Sequence, residues 1–156
     1  MIKQHKVVIY TDGAARGNPG PAGWAAVFLV DEKVIEIGGR SDHATNNQME
    51  LTGPIEALRH IKNKFSNVEH IEIVSDSKYV ILGITEWIFN WQRNNWRNAA
   101  KKPVLNKELW EELYALTHDL KPKWTYVKGH DESKWNNRAD EIATSFADNI
   151  PVELRK

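Results

Sequence analysis

Lys6-Val-Val-Ile-Tyr-Thr-Asp12-Gly13, running into Ala14-Ala-Arg-Gly-Asn-Pro-Gly-Pro21, is the stretch on which the fold turns. Val7, Val8, Ile9 and Tyr10 form a short β-branched and aromatic run, the pattern of a strand buried on both faces. The run ends in a carboxylate, Asp12, and then in a turn rich in glycine and proline. An acid at the tip of a core strand is costly to desolvate unless something pairs with it. Taken alone, Asp-Gly is an ordinary turn opener. Asp12 gains weight from other carboxylates that stand at similar junctions further along the chain.

Working outward, Trp24-Ala-Ala-Val-Phe-Leu-Val30 reads as a second strand and Val34-Ile-Glu-Ile-Gly38 as a third, joined by the tight turn Asp31-Glu-Lys33. Connections this short predict an antiparallel meander. Leu51, Ile55, Leu58 and Ile61, with Ala57 beside them, recur at helical spacing. Gly53-Pro54 interrupts that pattern, because Pro54 cannot donate to the carbonyl of residue 50. The helix either starts near Thr52, or starts earlier from a cap at Thr45 or Asn46-Asn47 and is kinked beside Glu50. Residues 68–75 read as a fourth strand ending in Asp76. A short helix follows from Ser77 to about Leu82, with Gly83 as its stop. Residues 86–95 give an aromatic helix, 96–103 a polar, basic loop, and 106–118 an amphipathic helix. Trp124-Thr-Tyr-Val127 is the fifth strand. After Gly129-His130 and the polar loop 131–137, a last helix carries Asp140 in its first turn.

Three strands, then strand and helix in alternation, predict an α/β fold: a five-stranded mixed sheet with helices on both faces. Right-handed crossovers would lay the fourth and fifth strands parallel to the first. In such sheets the ligand crevice lies at the carboxyl ends of the strands, where Asp12 and Asp76 both fall.

A chain of 156 residues reads as one domain over residues 1–156, able to bury about two-thirds of its unfolded surface. No apolar run approaches the roughly 20 residues of a membrane span, and the start of the chain lacks a secretory apolar segment. The chain has no cysteine, which excludes disulfides, thiolate catalysis and cysteine zinc sites, and fits a cytoplasmic protein. Basic and acidic residues balance at 21 each, but they are segregated. Between residues 78 and 107 stand six cations (Lys78, Arg93, Arg97, Lys101, Lys102, Lys107) against the single anion Glu86. A basic middle with Trp87, Trp91 and Trp96 in it has the composition of a nucleic-acid face, although at least one of these rings should serve mainly as core.

The residues that carry chemistry are Asp12, Glu50, Asp76 and Asp140, with His130 on its loop. Singly, each has an ordinary reading: Glu50 as a solvated helix acid, Asp76 as an N-cap, Asp140 as a first-turn acid, His130 as a surface histidine. Their surroundings change this. Tyr10-Thr-Asp-Gly-Ala-Ala-Arg-Gly-Asn-Pro-Gly-Pro-Ala-Gly-Trp24, Thr45-Asn-Asn-Gln-Met-Glu-Leu51, Ser75-Asp-Ser-Lys-Tyr-Val80, Val127-Lys-Gly-His130 and Asn136-Asn-Arg-Ala-Asp-Glu141 occur in that order. These five blocks closely resemble the bacterial-type ribonuclease HI family, from about residue 6 to residue 147.

The resemblance implies an endonuclease that hydrolyses the RNA strand of RNA–DNA hybrids, leaving 5′-phosphate and 3′-hydroxyl ends. Its four carboxylates match Asp12, Glu50, Asp76 and Asp140, and its catalytic-loop histidine matches His130. Acids so close need cations between them, and all-oxygen ligation suits Mg²⁺ or Mn²⁺. Two ions roughly 3.5–4 Å apart, bridged by Asp12 and completed by the other three acids, would clamp the attacking water and the leaving oxygen. His130 would move protons or aid product release. Asn18, Asn46, Asn47 and Lys78 match positions that read 2′-hydroxyls in the minor groove. Thr45 and Asn90 match the family's DNA-phosphate pocket, and Trp87 its sugar-packing ring. The expected partner is the hybrid itself, bound by a monomer.

Three departures stand out. Lys78 replaces a common glutamine, the basic middle is diluted by Gln92, Asn94 and Asn95, and Gly53-Pro54 interrupts the helix of Glu50. Two other readings are a hybrid-binding module without catalysis and another nuclease or strand-transfer enzyme of the same broad fold. A P-loop protein is excluded, because the glycine-rich loop lacks G-x-x-x-x-G-K-[ST].

Overall fold

The computed structural model describes residues 5–65, 68–128 and 133–156. Its strands are β1 (His5–Ala15), β2 (Gly20–Val30), β3 (Lys33–Ala44), β4 (Val68–Ser75) and β5 (Lys123–Tyr126). They form one sheet in the order β3-β2-β1-β4-β5. β1 pairs antiparallel with β2, and β2 with β3, while β4 lies parallel to both β1 and β5. This is the mixed sheet that the alternation of elements predicts. The meander strands run further than their apolar cores. β1 continues past Asp12, and β3 extends through the polar Arg40-Ser-Asp-His43, because each has a full-length neighbour in β2 to bond with.

Helices cover both faces. Alternation along β2 sends Ala26 and Phe28 to one face and Ala25 and Val27 to the other. The first face packs against α1 (Asn46–Lys64) and α4 (Lys107–Leu120), around Leu51, Ile55, Leu58, Trp110 and Leu113. The second packs against α5 (Lys134–Ala147) through Ala139, Ile142 and Ala143.

α1 begins at Asn46 and crosses Pro54 as one helix, so its start near Thr52 does not hold. A capping box fixes the start: Thr45 Oγ1 accepts from the Gln48 amide at 3.1 Å, and Gln48 Oε1 accepts from the Thr45 amide at 2.8 Å. Gly83 does not stop a helix either. α2 (Lys78–Leu82) passes through a π-helical turn, residues 83–87, into α3 (Ile88–Arg93). Gly83 has ordinary helical angles, and a Cβ there would meet Trp110 at 2.1 Å. Glycine is needed to admit the indole. α5 starts at Lys134, with Ser133 Oγ accepting from the Asn136 amide, so Asp140 lies in the second turn and not the first.

A buried carboxylate ties the end of the chain to this scaffold. The Glu36 side chain is fully buried and accepts from Arg138 Nε at 2.7 Å, Arg138 Nη2 at 2.9 Å, Arg155 Nη1 at 2.9 Å and the Arg155 amide at 2.9 Å. Burial pushes its pKa up, but hydrogen bonds from Arg138 and Arg155 outweigh that and hold it below the usual carboxylate range.

Candidate active site

The carboxyl end of the parallel strands gathers the acids. Tyr10 of β1 pairs with Val74 of β4, and Asp12 and Asp76 each follow two residues later. Glu50 arrives from the second turn of α1, where β1 and the helix come unusually close. A Cβ on Gly13 would stand 2.5 Å from the Glu50 nitrogen. The bare Gly13 amide instead donates to Asp12 Oδ1 at 2.8 Å and to Glu50 Oε1 at 2.9 Å. Asp12, Glu50 and Asp76 each offer an oxygen within 4.8 Å of the others. Asp140 stands across a small cleft of about 30 Å³, lined also by Asp12, Asp76, Asn136 and Asn137.

The electrostatics of this cluster are those of an acid set built for a cation. Asp12 and Glu50 are 5% and 6% exposed. Burial first of all, then the neighbouring charges of Asp76 and Asp140, pushes the Asp12 carboxyl up to about 7, against the hydrogen bonds from Glu50 and Gly13. Burial and the adjacent Asp12 raise Glu50 well above the ordinary range. Glu50 Oε2 is buried and has no hydrogen-bond partner among the described residues. A buried carboxylate oxygen without a donor, on a residue whose carboxylate comes within 4.8 Å of those of Asp12 and Asp76, fits a hard, oxygen-preferring divalent ion. Among the described residues, Asp12, Glu50 and Asp76 are the acids close enough to share one ion, and Asp140 flanks them across the cleft.

The remaining expected residues lie on the loop after β1, the start of α1, α2 and the helical turns that follow α2. The Asn46 amide donates to Asn18 Oδ1 at 2.9 Å, joining the loop after β1 to the start of α1, and Asn47 is exposed beside them. Thr45 is part of the capping box, and Gln48 Nε2 donates onward to Asn106 Oδ1 at 3.3 Å. Lys78 opens α2, directly after the Ser77 cap. Trp87 is 38% exposed, whereas Trp91 and Trp96 pack against the core; Asn90 is exposed on α3. The basic loop beyond is closed by a bridge between Arg97 and Pro103 and by Asn98 Oδ1, which accepts from the amides of Ala100 and Lys102. His130 lies outside the described residues.

Sequence reading missed two participants. Asn136 is 3% exposed, its Oδ1 has no hydrogen-bond partner among the described residues, and it lines the cleft one helical turn before Asp140. The signal was present as an i, i+4 pair on one helix, but only the helix start at Lys134 makes that pair share a face. Asn106, joined to Tyr79 and Gln48, is brought to the start of α1 by the docking of α4, which no local pattern announces.

The chain matches the RNase H family model over residues 4–148. It is 46% identical over 142 residues to Ribonuclease H of Solibacter usitatus, covering 91% of this chain and 94% of the relative. Among solved structures it resembles LC9-RNase H1, described as a type 1 RNase H with the type 2 active-site motif, at a TM-score of 0.78 and 26% identity. That match covers 96% of this chain and 75% of the other. It also resembles LC11-RNase H1 solved in complex with an RNA/DNA hybrid, at a TM-score of 0.69 and 25% identity, over 92% and 98% of the two chains.

Proposed function

The chain belongs to the ribonuclease H family, and on that premise we propose that it is a metal-dependent endonuclease acting on the RNA strand of RNA–DNA hybrids by a two-metal-ion mechanism. The observation that carries the reading is the carboxylate set Asp12, Glu50 and Asp76, two of them buried, in which one Glu50 oxygen has no hydrogen-bond partner among the described residues. Bound Mg²⁺ or Mn²⁺ would supply a nucleophilic water and stabilise charge on the phosphoryl oxygens.

The chain's own residues do the rest. The Gly13 amide fixes Glu50 Oε1, which leaves Oε2 as the ligand atom. Asp140 and Asn136 close the far side of the cleft. Asn18 commits its carbonyl oxygen to the Asn46 amide, so its amide nitrogen is left to donate to a 2′-hydroxyl or base edge in the minor groove. Asn46 and Asn47 extend that row, and Lys78 borders it as a cation for the RNA strand. On the DNA side Thr45 and Asn90 hold phosphate, Trp87 packs against deoxyribose, and the basic loop adds the salt-dependent part of affinity. His130 serves proton movement or product release.

The reading includes one catalytic domain over residues 1–156, working as a cytoplasmic monomer. Among the described residues no helix is long and apolar enough to cross a membrane. The test is cleavage of an end-labelled RNA strand in a hybrid with Mg²⁺ or Mn²⁺. Internal cuts with 5′-phosphate and 3′-hydroxyl ends, abolished by chelator, are expected. An intact RNA strand with either metal would overturn the reading.

A further inference from the structure

We infer that Lys78 contacts a phosphate of the RNA strand beside the scissile one, and that Tyr126 is the positioning residue that sets its ammonium there. This rests on the hybrid-nuclease reading above. Lys78 is the first residue of α2, two positions after Asp76. Tyr126 ends β5 and pairs with Ser75, the residue before Asp76. Lys78 Nζ sits over the Tyr126 ring, 5.4 Å from its centroid. The two side chains thus meet across the end of β4, at the rim of the carboxylate cluster.

Helix stability does not explain a lysine here. The first turn of a helix favours acids and disfavours cations. Core packing does not explain the tyrosine either. Trp124, two residues earlier on the same face of β5, packs against the core, whereas Tyr126 is 42% exposed. An aromatic face holding an ammonium has the chemistry for a phosphodiester: the ring restrains a flexible four-carbon stem, and the charge meets the anion. Restraint matters because a free lysine surrenders rotamer freedom on binding, and the ring takes part of that cost before the substrate arrives.

The test is steady-state hybrid cleavage at several salt concentrations by the parent, Lys78→Gln, Tyr126→Leu and the double variant, with thermal melts to confirm folding. Lys78→Gln should raise KM more than it lowers kcat and reduce the slope of log(kcat/KM) against log salt by about one. Tyr126→Leu removes no charge, yet it should raise KM about two- to five-fold, the worth of an exposed cation–π contact, and shift the slope the same way. The double variant should match Lys78→Gln alone, and Tyr126→Phe, which keeps the ring, should recover the parent's slope. A folded Tyr126→Leu with the parent's KM and slope overturns the inference. A parent that cuts no hybrid overturns the nuclease reading itself, and the role of the pair with it.

Discussion

Asp12 and Asp76 stand side by side because the parallel ladder of β1 and β4 puts them in step: Tyr10 pairs with Val74, and each acid lies two residues further along its own strand direction. Burial, and after it the Asp76 charge, raises the Asp12 carboxyl, and Glu50 shares the Gly13 amide with Asp12. Burial and mutual repulsion make full ionisation of this cluster unfavourable without an ion between the acids.

A pH dependence follows from this. Asp12 and Glu50 hold protons in the folded chain that they release near pH 4 when unfolded. Their contribution to stability is therefore fully present below about pH 4 and is lost as pH rises, through about 7 for Asp12. Melts of the metal-free protein should show Asp12→Asn more stable than the parent at pH 8, with the difference shrinking toward pH 5. Added Mg²⁺ or Mn²⁺ should raise the parent's Tm more at pH 8 than at pH 6, because binding must displace protons. Equal Tm gains at both pH values would contradict the buried, proton-holding cluster.

Gly13 is the contact on which the geometry of Glu50 depends. Its alanine variant would drive a Cβ to 2.5 Å from the backbone of Met49 and Glu50. Gly13→Ala should cost about 1–3 kcal/mol of stability, as overpacking does, and weaken metal binding through displacement of Glu50. Urea melts and a metal titration check both arms. Unchanged stability together with unchanged metal affinity would contradict the close approach.

Glu36 makes a different prediction, because it lies away from the cleft and holds Arg138, two residues before Asp140. Glu36→Ala takes the buried carboxylate from both guanidinium groups and leaves Arg138 its exposed bond to Glu141. The expected loss is roughly 2–3 kcal/mol, less than for a fully buried pair, because Arg138 and Arg155 keep solvent contact. Arg155→Ala, which leaves the Arg138 bonds in place, should cost about 1 kcal/mol. Denaturant midpoints at constant m-value would measure both; equal losses would show that Arg155 and not Arg138 carries the pair.

The parts of this molecule legible in its sequence are those set by local pattern. The Val7–Tyr10 run, the tight turn at 31–33 and the alternation of later elements are sufficient for the mixed sheet, and they place Asp12 and Asp76 at one end of it. What stayed hidden depends on distant partners. Gly83 resembles a helix stop until Trp110, 27 residues on, is seen to need the space. Pro54 obscures the start of α1, which the Thr45–Gln48 capping box decides. Glu36 looks like any acid on a strand, because its partners lie 102 and 119 residues away. Asn136 hides in what reads as a loop until Ser133 caps α5.

The most direct measurement is cleavage of a labelled RNA–DNA hybrid with Mg²⁺, beside duplex DNA and duplex RNA of the same sequence, by the parent and by Asp12→Asn. The expected result is cutting of the hybrid's RNA strand alone, with turnover reduced roughly a thousand-fold in Asp12→Asn, the scale of losing several kcal/mol of transition-state stabilisation. Cutting of duplex DNA, or parent-like turnover by folded Asp12→Asn, would contradict the account.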